Sequence, residues 1–253
     1  MAGHSKFANI KHKKERADLK RAKIFTRIGK EIMIAVQQGG TDKSTNPRLR
    51  DTIQKARANN MPNDNIERLI KKAAGETDTS TYEEITYEGY GINGIAVIVE
   101  ALTNNRNRTA ANVRSAFTKG GGNMGQTGSV SFMFNKIGQI QIDRELTEDE
   151  QLELMELGAE DFTAPLFDPE MGQITVEGEI ITEPHNLSSV LENLQSKDVE
   201  ILSAEVIYKP TTYAEELTEK EDIKKMNRLI SLLEEDEDVQ NFYYNLKEFM
   251  NNA

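Results

Sequence analysis

Glu84-Ile85-Thr86-Tyr87-Glu88-Gly89-Tyr90-Gly91-Ile92-Asn93-Gly94-Ile95-Ala96-Val97-Ile98-Val99 is where the chain changes period. Glu84 to Glu88 alternates apolar and polar residues as a half-buried strand does. Ile95 to Val99 is a short β-branched run bounded by turn residues. Between them Gly89, Gly91 and Gly94 fit the pattern G-x-G-x-x-G. That pattern holds a pyrophosphate only when a helix follows, because the ligand sits on the helix's first amides. A strand follows here, so the glycines read as a turn between two strands.

Upstream of this stretch the period is helical. From about Asp18 to Gln38, Phe25, Ile28, Ile32 and Val36 recur on one face, and Gly39-Gly40 stops the helix. Asn46-Pro47 is a cap residue with a first-turn proline, and it opens a helix with Leu49, Ile53 and Ala56 on one side. Met61-Pro62-Asn63-Asp64 starts a third, with Ile66, Leu69, Ile70 and Ala73 inward and Gly75 at its end. A three-helix domain over residues 1–75 is expected.

Downstream, helices and strands alternate. Expected are a helix from Thr109 to Lys119, a glycine-rich segment from Gly120 to Gly128, and a strand from Ser129 to Phe134. Gly138 is expected to break that strand from Gln139 to Ile142. Then come a helix (Glu148 to Leu157), a strand (Ile174 to Ile181), a helix (Leu187 to Gln195), a strand (Ile201 to Tyr208) and two acidic helices (Lys220 to Glu235, Val239 to Met250). Strands alternating with single helices point to small α+β units rather than a long parallel sheet, so the fold class is α+β.

Charge divides the chain more sharply than composition does. The first 72 residues carry 18 Lys and Arg against 7 Asp and Glu, a net +11, whereas the whole chain is −11. One end is built to meet a polyanion, and the remaining residues, at −22, need not join in. Cysteine is absent, which removes disulfides, thiolate metal ligands and thiol nucleophiles together. Hydrophobic residues make up 37%, and no apolar run reaches the roughly 18 residues of a membrane span. No apolar stretch follows the first lysines, so no secretory signal is read. A cytoplasmic location and no membrane partner are expected.

The residues that look chemical mostly fail. Gly120 to Thr127 is a near miss to a phosphate-binding P-loop, but Gln126 stands where the lysine is required. Its glycines read as a connector or as a loop that brings backbone amides near nucleic acid. His4, His12 and His185 form no metal-binding pair, and no nucleophile elbow is present. Glu234 to Asp238 reads as a solvated helix end. Neither catalysis nor a metal nor any other cofactor is expected.

What remains is basic. Lys6, Lys11, Lys13, Lys14, Arg16, Lys20, Arg21, Lys23, Arg27 and Lys30 are opposed only by Glu15 and Asp18 before Glu31. So long and one-signed a run reads as a nucleic-acid contact. His4, Phe7, Asn9 and His12 lie among these cations, where they can stack on or hydrogen-bond to the bases of irregular RNA. Arg48, Arg50 and Arg57 on the second helix are candidates for a DNA major groove. Arg106, Arg108 and Arg114 form a further cluster near Asn104 to Thr109. There the arginines either meet phosphate or pair with the acidic surface while Asn107 or Thr109 caps the helix.

Several of these stretches resemble the YebC family. They are Met1 to Lys13, Asn59 to Arg68, Tyr87-Glu88-Gly89-Tyr90-Gly91, Asn105-Arg106-Asn107-Arg108-Thr109 and Asp238-Val239-Gln240-Asn241. Phe7 stands where that family has Trp, Ile92-Asn93 replaces a proline-containing turn, and Asn104 replaces Asp. The resemblance implies a basic helical domain (1–75), a discontinuous α/β domain (76–134 with 206–253) and an inserted acidic α/β domain (135–205). It also implies a regulator of gene expression. Some members are described as DNA-binding transcriptional regulators, others as translation factors that ease ribosomes stalled at proline-rich stretches. The first expectation is a ribosome-associated factor contacting rRNA; the alternative is a transcriptional regulator on promoter DNA.

Overall fold

In the computed structural model, residues 4–75, 82–168, 173–197 and 199–247 are described; for 4–21, 58, 168 and 173 only the backbone is. Helix α1 (His4–Gly39) starts well before Asp18, where the apolar spacing was expected to begin it. Residues 4–17 contain neither Gly nor Pro and are rich in Lys, Arg, Ala and Glu, which favour helix without an apolar stripe. Gly40 ends α1 in the left-handed conformation (φ +79°), its amide bonded to the Val36 carbonyl.

Asn46 then fastens two helices at once. Its side-chain oxygen accepts from the Leu49 amide, capping α2 (Pro47–Ala58), and its Nδ2 donates to the Ala35 and Gly40 carbonyls. Helix α3 (Asn63–Gly75) completes a core of Ile28, Ile32, Val36, Leu49, Ile53, Ala56, Ile66 and Ile70, with Phe25 and Leu69 at its edge.

Two antiparallel sheets follow, so the fold is α+β. The first runs β10-β2-β1-β3, built from β1 (Glu83–Tyr90), β2 (Ala96–Thr103), β3 (Asn123–Met124) and β10 (Val239–Tyr244). Helices α4 (Arg106–Lys119) and α7 (Lys220–Glu235) cover one face, burying Val97, Val99, Val113, Phe117, Met226 and Leu229. The second runs β5-β8-β4-β9, from β4 (Phe134–Ile142), β5 (Ala159–Thr163), β8 (Gly178–Thr182) and β9 (Ile201–Pro210). It packs Ile140, Ile142 and Ile180 against Leu154 of α5 (Glu148–Glu156) and Val190 and Leu194 of α6 (Leu187–Gln195). β6 (Leu166–Asp168) and β7 (Gln173–Val176) form a separate hairpin.

The turn from β1 to β2 is a single 3-10 turn with Asn93 (φ 54°) and Gly94 (φ 75°), closed by the Gly91 amide on the Ile95 carbonyl. A strand follows it, and its glycines hold no helix N-terminus.

Four expectations are corrected. Val239 to Tyr244 is a strand, not a helix, because Val239, Phe242 and Tyr244 pack into the first sheet's core while the backbone pairs with β2. Ser129 to Met133 is no strand: Ser131–Met133 is a 3-10 turn, and β4 begins at Phe134. Gly138 does not break β4. A Cβ there would lie 2.4 Å from Thr182 Oγ1, so the glycine serves a close approach between paired strands. The stretch from Ile174 to Ile181 is divided at Glu177 between β7 and β8, which belong to different sheets. Strands β3, β5 and β6 carry no signal that the sequence pattern reveals.

Candidate nucleic-acid interface

Helix α1 orders the basic residues. Positions Lys6, Asn9, Lys13, Arg16, Lys20, Lys23, Arg27 and Lys30 recur at three- and four-residue spacing, one face over roughly 36 Å of helix. Lys11, Lys14 and Arg21 continue the line of Phe25, Ile28, Ile32 and Val36 toward the N-terminus. Ahead of Phe25, then, that line of α1 carries Lys11, Lys14 and Arg21 with Asp18 among them, and cationic positions fall on opposite sides of one rod. The three-four spacing was present in the sequence and is the signal that would have found this order. The side chains of His4, Lys6, Phe7, Asn9, Lys11, His12, Lys13, Lys14, Arg16, Lys20 and Arg21 lie outside the described residues.

The C-terminal end of the stripe is mounted on the body. Arg27 Nη2 donates to the Glu234 carbonyl at 3.0 Å, and Lys30 Nζ donates to the Glu237 carbonyl at 2.8 Å and to Asp238 Oδ1 at 2.7 Å. Burial lowers the Arg27 pKa, partly offset by Glu234 and Asp236. Asp238, expected in a solvated acidic run, is 3% exposed. Its second oxygen accepts from Arg108 Nη2 (2.6 Å), Arg108 Nε (3.2 Å), Thr109 Oγ1 (2.8 Å) and Thr103 Oγ1 (3.2 Å). Burial alone would raise its pKa, but the bonds from Lys30, Arg108 and Thr109 outweigh that and hold it at about 2.

The second cluster therefore divides. Asn105 is the residue that caps α4, accepting from the Arg108 amide; Asn107 and Thr109 do not. Arg108 is committed to Asp238, Arg106 lies 3.8 Å from Glu83, and Arg114 is exposed on α4. On α2, Arg48 bonds Glu84 and Gln38, Arg50 is 4.0 Å from Glu192, and Arg57 donates to Asn63 Oδ1. Lys23 is half-buried on α1.

Most amides of the glycine-rich segment are occupied: those of Gly120, Gly121, Gly122 and Gly125 donate to backbone carbonyls, and that of Gly128 to Glu88. The Glu88 carboxylate, 4% exposed, accepts from the Gly128, Val130 and Ser131 amides, each at 2.8 Å. Burial would raise its pKa, and the three amides bring it below the usual carboxylate value. Gly122 fits because a Cβ would lie 2.2 Å from the Tyr90 carbonyl oxygen. This is a packed loop with an internal anion in its nest, neither a flexible connector nor a vacant phosphate cradle. Among the described residues no group of three or more His, Cys, Asp or Glu could hold a metal ion, and no helix is long and apolar enough to cross a membrane.

Residues 5–76 match the family model of the TACO1/YebC protein N-terminal domain, and residues 82–246 that of the TACO1/YebC second and third domain. The chain belongs to the TACO1/YebC family. A relative from Lachnoclostridium phytofermentans is 52% identical over 252 residues, spanning 98% of this chain and 100% of that one. Another from Lachnospira eligens is 54% identical over 248 residues, 98% of each. Both are named probable transcriptional regulatory protein, a regulatory and not an enzymatic designation. The crystal structure of a conserved hypothetical protein from Aquifex aeolicus, 40% identical, superposes with a TM-score of 0.75 over 91% of each chain. The family read from Met1 to Lys13 and Asp238 to Asn241 is thus the family of the chain, and the three helices with two sheets are its fold.

Proposed function

We propose that this TACO1/YebC family chain is a non-enzymatic, nucleic-acid-binding regulator of gene expression that works through the N-terminal part of α1. The observation that carries this reading is the rod of cationic positions on both sides of α1 ahead of Phe25, mounted at Arg27 and Lys30 on the body of the protein. Such a rod releases counterions from phosphates on either side of it. The division into residues 1–75, 76–134 with 206–253, and 135–205 is part of the same proposal, with the last boundary moved past β9, which runs from Ile201 to Pro210 in the second sheet. In it the last two units carry and orient the rod.

Two targets fit, and different observations favour them. The relatives' names speak of transcription, and they support a DNA-binding regulator better than a translation factor. The state of α2 favours structured RNA, as on a ribosome. Arg48, Arg50 and Arg57 are turned to Glu84, Glu192 and Asn63, so α2 does not present a free row of guanidinium groups to a major groove. Sucrose-gradient sedimentation from lysate, with nuclease controls, separates the two. Co-migration with ribosomal particles that resists DNase and disappears with RNase supports the RNA target. Protein left at the top of the gradient but crosslinked to discrete chromosomal sites supports the DNA target.

A further inference from the structure

Gln240 is the extra residue of a β-bulge. Val239 pairs with Ala101 and Asn241 with Glu100, so Gln240 has no partner residue on β2. A bulge re-aims the side chain it carries, and bulges recur beside binding sites. Both polar atoms of the Gln240 carboxamide, Oε1 and Nε2, are buried and make no hydrogen bond among the described residues. A buried amide left without either partner costs stability that an apolar residue of the same shape would not.

Gln240 lines a cleft of about 340 Å³ where the three helices meet both sheets. Glu31 of α1 and Arg48 and Lys55 of α2 form one wall, and Lys136 of β4 reaches the cleft from the second sheet. The first sheet contributes Glu100 and Leu102. These alternate with Val99 and Ala101, so they lie on the face turned away from α4 and α7. The volume falls at the small end of the range for ligand pockets. Its cations are paired: Arg48 with Glu84, Lys55 with Glu31 at 3.0 Å, and Lys136 at 3.8 Å from Glu100. The three cationic side chains are 40–50% exposed, and pairs so exposed contribute little, so a phosphate can displace a carboxylate at small cost.

We propose that this cleft takes one unpaired adenine nucleotide, its base paired through N6 and N7 with the Gln240 carboxamide and its phosphate held by the rim cations. A carboxamide offers one donor and one acceptor, the complement of that base edge. Turning to the ligand costs Gln240 no hydrogen bond, because it makes none. Ile85, Leu102 and Val206 supply apolar lining for the ring. The nucleotide is either free or the looped-out member of a bound strand. The cleft lies beside the mount of the basic helix: Glu31 follows Lys30, and Gln240 comes two residues after Asp238. For the strand, the inference rests on the nucleic-acid-binding reading above and extends it from charge to the recognition of a base.

The test uses the full chain with three probes: adenosine monophosphate, a fluorescent oligoadenylate and a fluorescent duplex DNA. Gln240→Leu should weaken adenylate binding about tenfold. Its thermal midpoint should hold or rise, because an unpartnered amide is replaced by an apolar group. Thr86→Tyr, at an exposed strand position on the cleft, should fill the space and give the same loss without altering Gln240. Duplex affinity should stay at the wild-type value in both, since a base kept in the stack cannot enter. Loss of monophosphate binding in both variants assigns a free nucleotide; loss on the oligoadenylate alone assigns a looped-out base. Wild-type affinity for both adenylate probes in both variants overturns the cleft, and duplex binding then leaves the reading of α1 standing. A lower midpoint in Gln240→Leu with unchanged binding makes Gln240 structural and also overturns it. A wild-type chain that binds neither oligoadenylate nor duplex overturns the nucleic-acid reading. The cleft then stands on the monophosphate alone and falls if that probe does not bind.

Discussion

Lys30 Nζ lies 2.7 Å from Asp238 Oδ1, joining α1 to the entry of β10 across more than two hundred residues of chain. The same carboxylate holds the first turn of α4 through Arg108 and Thr109. One acid therefore fixes the mounting of the basic helix, and Arg27 on the Glu234 carbonyl, one turn earlier, keeps the helix from pivoting about it.

Asp238→Asn should destabilise the protein by about 3 kcal/mol at neutral pH, since Lys30 and Arg108 are left without their shared counter-charge. The pH dependence has a definite sign. The folded pKa, about 2, lies below the ordinary carboxylate value. Its contribution is therefore complete above about pH 4 and disappears as pH falls through about 2. That contribution is roughly 2 kcal/mol. Urea unfolding of both proteins across this range should show the wild type losing stability faster than the variant. A variant with the wild-type midpoint at pH 7 would contradict the mounting role.

Glu88→Gln tests the packed loop. The amide keeps one acceptor but turns an NH₂ toward backbone amides that need an oxygen, at a cost of about 1–3 kcal/mol. Hydrogen exchange should accelerate at Gly128, Val130 and Ser131, the three amides the carboxylate now holds. Unchanged protection there would mean the loop is held by something other than Glu88.

Gly138→Ala should cost about 1–3 kcal/mol, because the new methyl meets Thr182 Oγ1 at 2.4 Å and Leu187 Cβ at 3.1 Å. A thermal melt measures it. An alanine tolerated without loss of stability would mean that the approach of β8 at Thr182 does not require a glycine at 138.

This glycine shows where sequence reading stops. Period and caps identify elements that contain their own signal. Asn46-Pro47, the line Phe25-Ile28-Ile32-Val36, and the alternation of Glu84 to Glu88 all form the elements expected of them. The sequence cannot say which neighbour a residue will meet. Gly138 looks like a break because its partner, Thr182, is distant in the chain. Val239 to Tyr244 looks helical because it follows an acidic helix, while its strand state comes from pairing with β2 and from β-branched and aromatic side chains entering that sheet's core. The candidate site divides the same way. Its charge and family were legible in the first residues. The commitment of Arg108, Arg27 and Lys30 to the segment from Glu234 to Asp238, and of Arg48 to Glu84, was not, because each pairing joins distant parts of the chain.

The helical state of the N-terminal rod leads to the last prediction. Lys11, Lys13 and Lys14 together replaced by Ala should weaken nucleic-acid binding and flatten its salt dependence by up to about three units, one for each phosphate no longer neutralised. The thermal midpoint should hardly move, because among the described residues the hydrophobic core of the three helices draws on α1 from Phe25 onward. Ala17→Pro asks a different question, since it removes no charge. Proline inside a helix costs about 3 kcal/mol locally and kinks or breaks it. If α1 binds as a rod, with cationic positions in fixed phase on both sides, Ala17→Pro should cost affinity while circular dichroism shows a loss of helix confined to this segment. If the basic residues act only as a flexible charged tail, Ala17→Pro should bind as the wild type does. The charge variant and the proline variant together separate the number of cations from their arrangement along α1.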